Sequence, residues 1–175
     1  MKRLLSAILL FVALAAGPVT TEAANDIVVQ SSRAVRNFKR TDPSMRKFFN
    51  SCVGYAILPS VTAGGLGIGA QRGKGLVYAG GKLIGKTTLT QVSIGAQIGG
   101  EEFAEIVFFQ THKALNDFKT GQFSMSAQAK ANAAASGVAA NADYQYGVAV
   151  FTQAKSGLMA AAAIGGQKFG YESFR

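Results

Sequence analysis

The chain has 175 residues, with 18 Lys plus Arg against 9 Asp plus Glu, a formal net charge of +9, and only 15% charged residues. This length suits one domain, and 49% hydrophobic content with 21 glycines and 3 prolines excludes a disordered tail or a collagen-like repeat. One cysteine and one histidine exclude an internal disulfide scaffold and a four-ligand Cys/His zinc site.

Lys2 and Arg3 lead into an apolar stretch from Leu4 to Ala16, interrupted only by Ser6, and then into Gly17-Pro18. At about 13 residues the stretch is shorter than the roughly 20 that a membrane-spanning helix needs. Thr21-Glu22-Ala23 then offers small residues where a signal peptidase reads. Residues 1–23 are therefore expected to be an export signal cleaved after Ala23, which places the remainder in the periplasm or cell envelope. Loss of Lys2, Arg3 and Glu22 leaves a basic product of net charge +8.

Residues 24–50 contain no glycine and carry Arg33, Arg36, Lys39, Arg40, Arg46 and Lys47 against Asp26 and Asp42. Ile27, Ala34, Val35 and Phe38 fall near one helical face, while Arg33, Arg36 and Arg40 step by three and four along another. Thr41-Asp42-Pro43 reads as a break and restart, with Asp42 as cap and Pro43 at the first helical position. A second short helix then carries Met45, Phe48 and Phe49. From Gly54 onward, glycine-bounded alternation predicts strands near 55–59, 64–71, 75–80, 87–98, 103–110, 124–136 and 146–166, the last folded into two at Lys155-Ser156-Gly157. One helix interrupts them, Thr111 to Lys119, stopped by Gly121. The alanine-rich stretch 126–142 has helical propensity but a period-two pattern from Met125 to Ala133, and is read as strand.

Gly80 to Thr87 matches the phosphate-loop pattern G-x-x-x-x-G-K-T, yet a helix should follow such a loop, and Thr87 to Ile94 is a threonine-rich strand-like alternation. A glycine-bounded hairpin with two exposed lysines is the better reading. His112 sits at a helix start and Cys52 in an apolar run, so a hydrolase built from Ser51 or Cys52 with His112 has no motif behind it. Glu101, Glu102 and Glu105 form the one acidic cluster. Glu102 and Glu105 are three apart, on opposite strand faces, and the cluster is read as loop counter-charge for the basic patches. No catalytic, cofactor or metal site is expected. Nucleic acid is disfavoured as well, because the aromatic residues cluster in apolar runs instead of interleaving with Lys and Arg.

What remains is surface chemistry. A basic amphipathic helix can bury an apolar face in an anionic membrane while its cations sit among head groups, each contributing about 1 kcal/mol. The alternative is the same helix packed on a sheet with its charged face in water.

Phe48 to Pro59, Gly64 to Gly69, Gly73-Lys74-Gly75, Leu89 to Gly100, Glu105 to Phe109 and Gly157 to Gln167 together resemble the SYLF domain family of lipid-binding proteins. The resemblance implies a non-enzymatic, membrane-associated domain of the exported bacterial kind, binding a phosphoinositide-type or other acidic phospholipid. It also implies that the segment around Arg33 to Arg40 is the membrane-contacting region. The fold expected is α+β: an antiparallel, curved, glycine-rich sheet able to close like a barrel, with N-terminal helices and one inserted helix. Residues 24–50 and the β-rich core 51–175 form one domain. Arg33, Arg36, Lys39, Arg40, Arg46 and Lys47 are the expected lipid-binding residues, with Lys74, Lys82 and Lys86 as a second patch. A protein partner in the envelope is the alternative to anionic phospholipid.

Overall fold

A computed structural model describes residues 21–66, 68–94, 101–122, 139–154, 157–160 and 167–174. Most of the expected export signal and the expected strand 124–136 lie outside these residues. The chain opens with helix α1 (Thr21–Thr41), which buries Ser31, Ala34 and Phe38 at helical spacing. Lys39 and Arg40 in its last turn complement the helix dipole. The helix stops because Asp42 precedes a proline and takes an extended conformation. A 3-10 turn (Pro43–Met45) and helix α2 (Arg46–Ser51) follow.

Asp42 is the cap that the sequence predicts. Its buried carboxylate accepts hydrogen bonds from the Ser44 amide at 2.9 Å, the Ser44 hydroxyl at 2.6 Å and, from the other oxygen, the Ala139 amide at 2.9 Å. Asp42→Ala removes a cap and orphans a buried N–H. The expected loss is about 2–4 kcal/mol of stability, read from urea denaturation midpoints; a loss below about 0.5 kcal/mol would contradict this role.

Seven strands form one sheet: β1 (Gly54–Leu66), β2 (Ile68–Ala79), β3 (Lys82–Ile94), β4 (Glu101–Phe109), β5 (Val148–Ala154), β6 (Gly157–Ala160) and β7 (Lys168–Ser173). Their order is β6-β5-β4-β1-β2-β3-β7, and every adjacent pair is antiparallel. The fold is α+β, as expected, but among the described residues the sheet is open, with β6 and β7 at its edges. The expected strands 55–59 and 64–71 need correcting. The first continues to Leu66, because Pro59 falls in a bulge, where the register shifts between Ile57 and Ser60 against β2 and between Leu58 and Val61 against β4 and the proline pairs with neither neighbour. The chain then turns between Leu66 and Ile68, inside the segment expected to be straight. β3 begins at Lys82 rather than 87, and β7 was not anticipated.

The two faces of the sheet carry separate cores. Ile57, Leu76, Ile106, Phe108, Ala149 and Phe151 face α1 and α2, where they meet Ala34, Phe38, Met45 and Phe48. Leu58, Val61, Val77, Leu89, Val107, Val150 and Phe169 line the other face. Helix α3 (His112–Lys119) fills that inner side with Ala114, Leu115 and Phe118. Thr111 caps α3 by accepting the Ala114 amide at 3.2 Å, and Gly121 ends it at φ +70°, as the sequence indicates. The sheet curls strongly around this core. Phe118 and Phe169 lie 5.2 Å apart between ring centroids, and Gln167, just before β7, reaches Glu105 on β4 across the inner space.

Candidate functional site

The apolar face of α1 is occupied by the protein itself. Phe38 and Ala34 are buried against the sheet, with Ile27 and Val35 packed beside them, so of the apolar residues from Ile27 to Phe38 only Val28 and Val29 are exposed. This docking turns Arg33, Arg36 and Arg40 outward, on the solvent side of the helix and around Val29, which is 47% exposed. The insertion geometry expected for the amphipathic helix is thereby corrected: Phe38 is needed by the core, and what α1 presents outward is charge.

The other expected residues separate into two groups. Arg46 is exposed at the start of α2, and Lys74, Lys82 and Lys86 are exposed on the β2–β3 hairpin. Lys39 instead lies over the Phe49 ring at 4.1 Å. Lys47 donates to the carbonyls of Ala140 and Ala142 at 2.9 and 2.7 Å and covers Phe48, which ties α2 to the segment before β5.

Register brings the helix and hairpin patches to one side. Lys86 pairs with Leu76, which belongs to the core under α1, and directly opposed residues share a face. Lys74 and Arg72 are two and four residues from Leu76, and Lys168 pairs with Thr90, four residues from Lys86. Arg72, Lys74, Lys86 and Lys168, all exposed, therefore lie on the α1 side of the sheet. Sequence reading missed Arg72 and Lys168, although the Arg72-Gly73-Lys74 alternation carried the signal. Glu172, paired with Lys86, and Glu102, which accepts the Ser60 hydroxyl at 2.6 Å, are acidic residues on that same side. Lys113 and Asp117 form an ion pair on α3, and among the described residues no ion pair is found at Arg33, Arg36 or Arg40.

Glu105 departs furthest from expectation. It is not loop counter-charge but a β4 residue 1% exposed, alternating with Phe103 and Val107 on the inner face. Gln167 Nε2 donates to its Oε2 at 3.1 Å, and its Oε1 has no hydrogen-bond partner among the described residues. Burial pushes its carboxyl up to about 8, and the Gln167 hydrogen bond only partly opposes the shift.

The pairing of Ser51 or Cys52 with His112 is not assembled among the described residues. Ser51 Oγ is 3.1 Å from the Tyr144 hydroxyl, and Cys52 Sγ contacts the Phe49 carbonyl at 3.8 Å; neither has His112 as partner among the described residues. Burial raises the Cys52 thiol, which lowers its thiolate fraction. His112 is exposed as the first residue of α3. The phosphate-loop look-alike is a hairpin: Gly80 and Gly81 turn at φ +54° and +78°, and Thr87, buried in β3, donates to the Gly170 carbonyl at 2.8 Å.

Residues 90–172 match the family described as Ysc84, Las17-binding protein actin regulator. The matched stretch runs from the second half of β3 to β7 and includes Glu105, α3 and Lys168. No curated protein matches significantly.

Proposed function

We propose, from the match of residues 90–172 to the Ysc84 (SYLF) family, that the chain is a non-enzymatic, exported protein that associates peripherally with anionic phospholipid. The observation that carries this reading is the outward arginine stripe Arg33, Arg36 and Arg40, held on a helix anchored by Phe38, on the same side of the sheet as Arg72, Lys74, Lys86 and Lys168. Binding is electrostatic and superficial: cations meet head-group phosphates, and Val28 and Val29 add the small apolar contact that the docked helix leaves exposed. The basic leader and its short apolar run support export to the periplasm or cell envelope.

Co-sedimentation with neutral and phosphatidylglycerol-containing vesicles across a salt series tests it. The protein should bind only the anionic vesicles, and more weakly as salt rises. Changing Arg33, Arg36 and Arg40 to Gln should weaken binding more than tenfold, at about 1 kcal/mol for each charge. Binding indifferent to lipid charge and salt would overturn the proposal. The family is described by a protein partner, so absent vesicle binding with stoichiometric capture of one envelope protein would assign the basic side to a protein interface.

A further inference from the structure

The inner surface of the curled sheet contains a polar cluster that surface binding does not use. Side chains alternate along a strand, so Glu105 shares the inner face with Val107, Gln91 with Leu89, Gln71 with Val77, Thr152 with Val150 and Gln167 with Phe169. Registers connect them. Gln71 pairs with Gln91, Thr152 pairs with Glu105, and Gln167 precedes the Lys168–Thr90 pair while reaching Glu105 at 3.1 Å.

Three buried oxygens in this group, Glu105 Oε1, Gln167 Oε1 and Gln71 Oε1, have no hydrogen-bond partner among the described residues. All three are acceptors once the Glu105 carboxyl is ionised, the state that a bound cation favours. Leaving a buried acceptor without a donor costs about 1–3 kcal/mol, and the two that meet at the Glu105–Gln167 contact call for a common positive or donating centre. Arg72, Lys74, Lys86 and Lys168 are on the α1 side, and Lys82, which shares the inner face with Ile84, is exposed at the far end of β3 beside the β2–β3 turn, nine residues from Gln91.

We propose that Glu105 and Gln167 bind a monovalent hard cation of the sodium or potassium class inside the curled sheet. Carboxylate and amide oxygens are the ligands that such ions prefer over sulfur or imidazole. One carboxylate balances one positive charge, and any uncompensated buried charge is strongly unfavourable, which selects a monovalent ion over a divalent one. A transition-metal centre is not supported, since no group of three His, Cys, Asp or Glu side chains is assembled among the described residues. The bound ion would link β4 to the segment entering β7 and so hold the sheet in its curled form.

The test is thermal unfolding of the full chain in sodium, potassium, magnesium and choline chlorides at fixed pH and ionic strength. The midpoint should rise by roughly 4 °C in sodium or potassium relative to choline when the ion is about tenfold above its dissociation constant, with no comparable rise in magnesium. Glu105→Gln should abolish the difference. If that variant does not fold, Gln167→Leu keeps the carboxylate, removes one ligand oxygen and should shrink the rise. Sodium-23 NMR line broadening by wild-type protein, reversed by potassium, should accompany it. Equal midpoints in all salts, or an undiminished rise in both variants, would overturn the proposal and leave the oxygens to ordered water.

Discussion

Glu105→Gln is expected to stabilise the protein at neutral and alkaline pH, by about 3 kcal/mol at pH 7, when measured in choline buffers free of sodium and potassium. In the folded chain burial holds the carboxyl near 8, against an ordinary 4.5. Between these values the native state keeps a proton that the unfolded state has released. The contribution of Glu105 is therefore fully present below pH 4.5 and is lost as pH rises through 8, at about 1.4 kcal/mol per unit. Glutamine cannot ionise, so the variant lacks this slope and its advantage grows across the window. Urea denaturation of both proteins at several pH values gives the difference directly, free of the titration of other groups. A difference that stays constant from pH 5 to 8 would show that the Glu105 carboxyl titrates at its ordinary value.

Phe48→Ala should cost about 3–5 kcal/mol, the loss typical of a fully buried aromatic side chain. The Phe48 ring stacks on Phe108 at 5.5 Å and meets Phe151 and Tyr144 edge-on at 4.8 and 5.2 Å between centroids. Truncation thus opens a void where α2, β4, β5 and the segment before β5 converge, and it removes the aromatic face under Lys47. Phe48→Leu should recover part of the loss by refilling the space. Chemical denaturation would report both values, and an alanine cost below about 1 kcal/mol would mean that the site collapses without penalty.

Local signals in the sequence were legible because they act over a few residues. The Gly121 stop and the Asp42-Pro43 restart each appear where the sequence puts them, and the helix expected from Thr111 starts one residue later with Thr111 as its cap. The run of β1 through Pro59 was hidden because a proline inside a strand is tolerated only at a bulge or an edge, and which of these applies depends on the partner strands. β7 was hidden for a similar reason: Lys168–Ser173 is exposed at most positions and gains its strand geometry from pairing with β3, about 80 residues earlier. The arginine stripe could be read from helical spacing. Its docking could not, since the fate of Phe38 depends on whether a sheet or a lipid receives it. Glu105 was the most informative miss. Its alternation with Phe103, Val107 and Phe109 already placed it on an apolar face, but the neighbouring glutamates drew the reading toward a solvated acidic loop.

The pairing of β3 with β7 also constrains the order in which the molecule can be made. Phe169 joins the inner core beside Phe118, and Gln167 supplies the described hydrogen bond to the Glu105 carboxylate. A nascent chain that has not yet released residues 167–173 can form the hairpin of β2 and β3 but leaves the inner apolar surface uncovered. Folding dominated by such distant pairings is slow, in the range of milliseconds to seconds. Synthesis, at roughly 5–20 residues per second, is slower than this, so the emergence of the last strand, and not the folding step itself, sets when the inner core can close.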